Sequence, residues 1–281
     1  GYIITGYTAS FGLVDVWLIK TDSQGQEEWN QTFGGFAYDI GYSVQQTDDG
    51  GYIITGYTES LGNGNKDVWL IKTDSNGNEQ WNQTFGGSGD DRGRSVQQTT
   101  DGGYIITGRT ESFGNGSWDL WLIKTDSNGN EEWNQTFGLD GYNGGYSVQQ
   151  TSDEGYILTG FYFDGGQGEY LVLLKTDTYG NELWVKYFGE FDNSNRGYSV
   201  QQTTDGGYII TGYTTSYGNG NSDVYLIRLE GDGEEPPPYT GPTWYVSTSG
   251  SDSNNGSEEF PFATIQYAID ISSEGDSVLV S

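Results

Sequence analysis

Residues 95–138 read S-V-Q-Q-T-T-D-G-G-Y-I-I-T-G-R-T-E-S-F-G-N-G-S-W-D-L-W-L-I-K-T-D-S-N-G-N-E-E-W-N-Q-T-F-G, and the chain up to Glu230 is this stretch repeated, whole or in part. Val44, Val96, Val148 and Val200 stand 52 residues apart, as do Trp17, Trp69, Trp121, Leu173 and Tyr225. A fixed period near fifty residues is the mark of a solenoid, a propeller or an array.

Each full copy divides into four short strands, a to d. Strand a is S-V-Q-Q-T (43–47, 95–99, 147–151, 199–203). Strand b is G-Y-I-I-T-G-Y-T and its variants (1–8, 51–58, 103–110, 155–162, 207–214). Strand c is D-V-W-L-I-K-T and its variants (15–21, 67–73, 119–125, 170–176, 223–229), and strand d is E-E-W-N-Q-T-F and its variants (27–33, 79–85, 131–137, 182–188). Asp49-Gly50, Asp101-Gly102 and Asp205-Gly206 join a to b, and Asn76-Gly77 and Asn128-Gly129 join c to d. Such pairs supply the positive φ that a tight hairpin needs. The glycine-rich d–a link, as at 85–93, is longer and hands the chain to the next copy.

Val68 and Leu70 point to one side of strand c, and Trp69 and Ile71 to the other, so both faces of each sheet are apolar. A sheet with one wet face alternates cleanly. These sheets must therefore be covered on both sides, and the next copy is the available cover. About fifty residues bury too little to stand alone, and four-stranded sheets stacked around an axis make a β-propeller. The expected fold is all-β, a propeller of four-stranded antiparallel blades over 1–230, with a nearest the channel and d outermost. Five copies are present, the first lacking a and the last lacking d. We expect the segment to be an open part of a larger ring, with a five-bladed ring short of two strands as the alternative. The chain has no Met and starts within a repeat, so an upstream start is expected. Residues 231–242 (G-D-G-E-E-P-P-P-Y-T-G-P) read as a stiff linker. Beyond them we expect a strand at 243–248, a helix over 265–272 capped by Thr264, and a strand at 277–280. Phe262, Ile265, Ala268 and Ile269 share the helix's apolar side.

Composition narrows the function. Forty acids against eleven bases give a net charge of -29, which disfavours nucleic acid and anionic membrane surfaces as partners. With no Cys and no His, thiolate and imidazole chemistry is absent. No apolar run approaches the ~20 residues of a membrane helix. D-S-N-G-N-E at 74–79 and 126–131 offers Asp74, Asn76, Asp126 and Asn128 as oxygen ligands, but glycine is fourth where an EF-hand loop has it sixth. A hairpin turn is the preferred reading, with calcium the alternative; no other cofactor is expected. Glu27-Glu28 and Glu131-Glu132 are adjacent on a strand and so do not face one another as a glycosidase pair does. Trp17, Trp69 and Trp121, and likewise Trp29, Trp81 and Trp133, read as packing between blades. N-Q-T at 30–32, 82–84 and 134–136 matches a glycosylation pattern but falls within strand d. The candidate site is the rim: Tyr57, Arg109, Phe161 and Tyr213 vary at one position ending strand b, and lead into loops bearing Glu59, Glu111, Asn63 and Asn115. Variation at a fixed place in near-identical repeats suits a ligand-facing surface, or simply a tolerant one.

Residues 197–214, G-Y-S-V-Q-Q-T-T-D-G-G-Y-I-I-T-G-Y-T, followed by D-V-Y-L-I-R, resemble a secreted prokaryotic β-propeller repeat, similar in layout to Kelch-type and quinoprotein-type propellers. No quinoprotein cofactor residues can be placed. W-Y-V-S-T-S-G-S-D-S-N-N-G-S (244–257), P-F-A-T-I-Q-Y-A-I (261–269) and E-G-D-S-V-L-V (274–280) resemble the opening of a pectate-lyase-like right-handed parallel β-helix, whose catalytic carboxylates lie on later rungs. The resemblances imply an extracellular or cell-surface recognition or adhesion scaffold, without catalysis of its own, taking a surface glycan or protein as partner. The alternative is the accessory propeller of a polysaccharide lyase or hydrolase whose active site lies further along the β-helix. Oligomeric state is not legible.

Overall fold

The computed structural model describes residues 1–9, 13–115, 117–138, 141–163, 165–166, 168–218, 221–231, 243–254, 256–257, 259–271 and 277–280. Five antiparallel sheets follow one another along the chain. The first holds β1 (Tyr2–Thr8), β2 (Asp15–Thr21) and β3 (Glu27–Phe33). The second holds β4 (Asp39–Gln46), β5 (Tyr52–Thr58), β6 (Asp67–Thr73) and β7 (Glu79–Phe85); the third, β8 (Arg92–Gln98), β9 (Tyr104–Thr110), β10 (Asp119–Thr125) and β11 (Glu131–Phe137). The fourth holds β12 (Tyr142–Gln150), β13 (Tyr156–Phe163), β14 (Glu169–Thr176) and β15 (Glu182–Phe188), and the fifth β16 (Asn195–Gln202), β17 (Tyr208–Thr214) and β18 (Asp223–Leu229). Each is a meander in chain order. The hairpin glycines take the expected positive φ, 83° at Gly50 and 81° at Gly77.

The sheets pack face to face. Val68, Leu70 and Phe85 of the second meet Tyr104, Ile106, Trp121 and Ile123 of the third in one buried cluster, and the same arrangement recurs at the other interfaces. Trp29, Trp81, Trp133 and Trp184 each lean on a tyrosine of the next sheet (Tyr52, Tyr104, Tyr156, Tyr208) with ring centroids 5.8 Å apart. Fully burying one such side chain is worth about 1.5–3 kcal/mol, so most of the stability lies between sheets and not within them. The outer faces of the end sheets are uncovered. Tyr2 is 61% exposed and Val224 74%, where Tyr52 and Val68 are buried. No sheet combines strands from both ends of the chain among the described residues.

The S-V-Q-Q-T strands form the hub, lining one groove with Val44, Val96, Val148 and Val200. The first Gln of each motif accepts from the backbone of the next blade: Gln98 N to Gln45 Oε1, Gln150 N to Gln97 and Gln202 N to Gln149, each 2.6 Å. The second Gln reaches back, accepting from Asp48, Thr100 and Ser152 N at 2.8–2.9 Å. The two glutamines thus tie neighbouring blades in both directions, which explains why a polar pair persists at the hub.

A buried lysine closes the opposite end of strand c. Lys124 Nζ donates to Asp101 Oδ2 (2.8 Å), Thr125 O (2.9 Å) and Glu132 Oε2 (2.8 Å), using all three of its protons. Glu132 reaches it because β11 bulges there: Lys124 pairs with Trp133 and Thr125 with Glu131, leaving Glu132 unpaired. Glu28 is turned onto Lys20 in the same way, at 2.6 Å. Glu28 and Glu132 are therefore ion-pair partners of the strand c lysines. The Lys72 ammonium and the Thr47 hydroxyl hold the Asp49 carboxyl down at about 2; burial works upward on Asp101, but Lys124 and Thr99 outweigh it and bring it to about 2 as well. Carboxyls depressed in the folded state stabilise above their unfolded value of ~3.9, and that contribution is lost as pH falls towards 2. Urea midpoints measured from pH 6 to pH 2 should fall across the lower half of this range, less steeply in Asp101→Asn. Asp101 is more than half exposed, so solvent screening limits its share to about 0.5–1 kcal/mol.

After the blades come β19 (Thr243–Val246), α1 (Ile265–Ile271) and β20 (Ser277–Val280), with β19 and β20 paired in parallel. The expected linker, Gly231 apart, lies outside the described residues. Thr264 caps α1, its Oγ1 accepting from Tyr267 N at 3.3 Å. Only part of the expected apolar side is buried: Ala268 and Phe262 pack with Val246, while Ile265 and Ile269 are exposed. Two four-residue strands offer the helix a narrow seat, which Ala268 and Phe262 fill.

Candidate functional site at the hub end

Strand a starts earlier than S-V-Q-Q-T, and its added residues build the site. In β4, β8, β12 and β16 the register slips just before the serine, between Gly41 and Ser43, Gly93 and Ser95, Gly145 and Ser147, and Gly197 and Ser199. The extra residues are Tyr42, Arg94, Tyr146 and Tyr198. A bulge re-aims the side chain it carries, and here four in succession gather at one end of the hub. Sequence reasoning missed them because their stretch reads as a glycine-rich link. The signal was present as a varied large residue immediately before each S-V-Q-Q.

These four meet the rim residues expected from the sequence. Tyr42 lies 6.0 Å from Tyr57, Tyr146 lies 5.7 Å from Phe161, and Tyr198 lies 5.9 Å from Tyr213, between ring centroids. Tyr146 and Tyr198 also meet edge to face at 5.2 Å. Guanidinium groups stack between the rings: Arg94 over Tyr42 (4.1 Å), Arg92 over Tyr57 (5.2 Å), Arg196 over Phe161 (4.6 Å) and Arg109 over Trp118 (3.6 Å). Four of the chain's five arginines stand in this belt.

The arginines are not equivalent. Arg92 is held by Asp90 (2.6 Å) and Arg196 by Glu169 (2.6 Å), and Tyr146 OH accepts from Arg196 Nη1 at 3.2 Å. The Glu169 pair raises Arg196 above the ordinary arginine range. Arg94 has no carboxylate partner among the described residues, and Arg109 Nε is buried with none. Burial, and then the charges of Arg92 and Arg94, press Arg109 down to about 10. Glu59 and Glu111 stand one step away. Glu59 pairs with Lys66 (3.2 Å), which lies over Tyr57, and Glu111 accepts from the indole of Trp118 beneath Arg109.

The alternative calcium ligands are engaged elsewhere. Asp74 Oδ1 accepts from Asn76 N (2.8 Å) and Asn78 N (2.9 Å), and Asp126 Oδ1 from Asn128 N and Asn130 N (2.8 Å each). Each carboxylate faces into its own turn, which is what holds the c–d hairpin. Asn82 and Asn134 of the N-Q-T motifs are likewise occupied by tryptophan and glutamate neighbours.

Stacked four-stranded meanders around a hub, with an aromatic and guanidinium belt at one end, define a propeller-like repeat protein. The chain matches no protein-family model and no curated protein. Among solved structures it is similar to a β-1,2-mannobiose phosphorylase from Listeria innocua bound to β-1,2-mannobiose (14% identity, 78% of this chain and 67% of that one, TM-score 0.43). It is also similar to a thermostable family-43 glycoside hydrolase (13%, 80% and 86%, TM-score 0.41) and to Sqt1 from Chaetomium thermophilum (10%, 83% and 69%, TM-score 0.37). Two of these three are enzymes, so the expectation that the chain is not an enzyme is withdrawn. None of the three is described as a Kelch protein or a parallel β-helix, and the two finer family resemblances gain no support from them. Among the described residues no helix is long and apolar enough to cross a membrane.

Proposed function

We propose that this chain is a carbohydrate-recognising propeller whose site is the hub-end belt, and that its ligand is an acidic saccharide. The observation that carries the reading is the gathering of four of five arginines, interleaved with tyrosine rings, in a chain of net charge -29. Aromatic faces accept the C–H faces of sugar rings. A carboxylate or sulfate is drawn to a guanidinium group that has no acid of its own, and Arg94 has no carboxylate partner among the described residues. The surrounding acidity repels other anions and leaves this end as the one attractive to them. An extracellular or cell-surface setting, where such glycans are met, suits the reading.

The test is calorimetric titration with galacturonate oligosaccharides and their neutral galactose counterparts. The acidic ligand should bind and weaken with salt, the neutral one should bind at least about tenfold less tightly, and Arg94→Ala and Arg109→Ala should each lose about tenfold or more. Equal binding of both ligands, or none of either, overturns the proposal.

A further inference from the structure

The fourth blade breaks a rule that the first three keep. In those, the strand c tryptophan donates to an asparagine on strand d, and that asparagine donates to a glutamate. The Trp–Asn distances are 3.2 Å for Trp17 to Asn30, 3.1 Å for Trp69 to Asn82 and 3.0 Å for Trp121 to Asn134. The Asn–Glu distance is 2.6 Å each time, to Glu27, Glu79 and Glu131. Spacing by 52 assigns Leu173 to the tryptophan position, but the structure corrects this. Gly160 pairs with Val172 as Gly108 pairs with Trp121, because the fourth b–c connection is one residue shorter. The asparagine position is taken by Val185, opposite Leu174 as Asn134 is opposite Ile123, and the glutamate position keeps Glu182.

Two members of the relay are therefore lost together and the third is retained. The space left is real: a cavity of about 330 Å³ lies between the third and fourth blades, lined by Val172, Val185, Tyr162, Tyr187, Phe137 and Glu182. Tyr187 stands where the third blade has Thr136, and its ring lies 5.3 Å from Tyr162, placing two aromatic walls at the opening. In the second and third blades an indole fills this position, Trp69 and Trp121, with its ring against apolar neighbours and its N–H directed towards strand d.

We propose that this cleft is a binding site for a planar aromatic heterocycle of indole size carrying one ring N–H, which takes the place of the missing tryptophan and donates towards Glu182. The apolar walls take the ring, Tyr162 and Tyr187 flank it, and the retained carboxylate accepts the proton that the valines cannot. The site is separate from the hub-end belt and does not depend on the glycan reading.

The probe is indole, titrated into the full chain by calorimetry and by ligand-observed NMR, with N-methylindole alongside. One saturable site is expected, with N-methylindole weaker by about tenfold for want of the donor. Glu182→Gln should weaken indole and leave N-methylindole unchanged. The double variant Val172→Trp, Val185→Asn rebuilds the relay in place and should abolish binding of both. If that variant does not fold, Val172→Phe, which narrows the cleft without a new polar group, is the equivalent test. Absence of saturable indole binding, equal affinity for the methylated ring, or binding that survives the filled cleft overturns the proposal.

Discussion

Replacing Gly108 with alanine is expected to destabilise the protein by about 3 kcal/mol, while the same change at Gly6 costs less than about 1 kcal/mol. Both glycines occupy the same place in T-G-Y-T or T-G-R-T, but strand a lies beside only one of them. The bulge in that strand tightens the approach. At Gly108 it brings strand a so close that a Cβ would sit 1.8 Å from Arg92 O and 3.0 Å from the Gly93 Cα, both backbone atoms. Gly56, Gly160 and Gly212 meet the carbonyls of Ile40, Gly144 and Arg196 at 1.8–1.9 Å in the same way. Gly6 lies in the first blade, which lacks strand a, and has nothing within 4 Å. Alanine at 108 must push β8 away from β9, and the bulged Arg94 moves with it, so saccharide binding should fall as well. Urea denaturation of the two variants checks this directly. If Gly108→Ala proves as mild as Gly6→Ala, the close approach at the bulge is not what fixes these glycines.

Much of this architecture was legible because the repeat displays it several times over. The period gave the blades, Asp-Gly and Asn-Gly gave the hairpins, and two apolar faces per strand gave the stacking that the buried clusters contain. What escaped depends on a one-residue change in register. The bulge before S-V-Q-Q turns Tyr42, Arg94, Tyr146 and Tyr198 from loop residues into the core of the candidate site. The shortened connection in the fourth blade moves the tryptophan position from Leu173 to Val172. The varied large residue before each S-V-Q-Q does not by itself announce a bulge, since a bulge is defined by its partner strand. The arginine belt escaped for a related reason: Arg196 and Tyr146 are fifty residues apart in sequence and adjacent only once blades stack. The Tyr57, Arg109, Phe161 and Tyr213 series was legible as a varying position because variation within a repeat needs no partner to be seen.

Asp91→Ala is expected to cost about 3–5 kcal/mol and Asp91→Asn less than about 1 kcal/mol, a contrast that identifies what a buried acid does between blades. Asp91 is fully buried. Its Oδ2 accepts from Ser112 Oγ (2.5 Å) and Gly87 N (2.9 Å), and its Oδ1 from Thr110 Oγ1, Glu111 N (3.2 Å) and Ser112 N (3.4 Å). Alanine would leave those donors without an acceptor, loosening both the d–a link and the b–c loop. The charge itself is dispensable, because the fourth and fifth blades place Asn143 and Asn195 at this point. Asn195 Oδ1 accepts from Thr214 Oγ1 (2.5 Å) and Ser216 Oγ (3.0 Å), the counterparts of Thr110 and Ser112. Asparagine would also relieve a neighbour: burial, and secondarily the charge of Asp91, raise the Asp67 carboxyl above its ordinary value. A group raised in this way favours folding while protonated and loses that advantage as pH climbs through its folded pKa. Removing the Asp91 charge should therefore soften the decline in stability on going from pH 4 to pH 7. Equal losses from alanine and asparagine, read from urea midpoints at neutral pH, would show that the blades require the charge and not the acceptor.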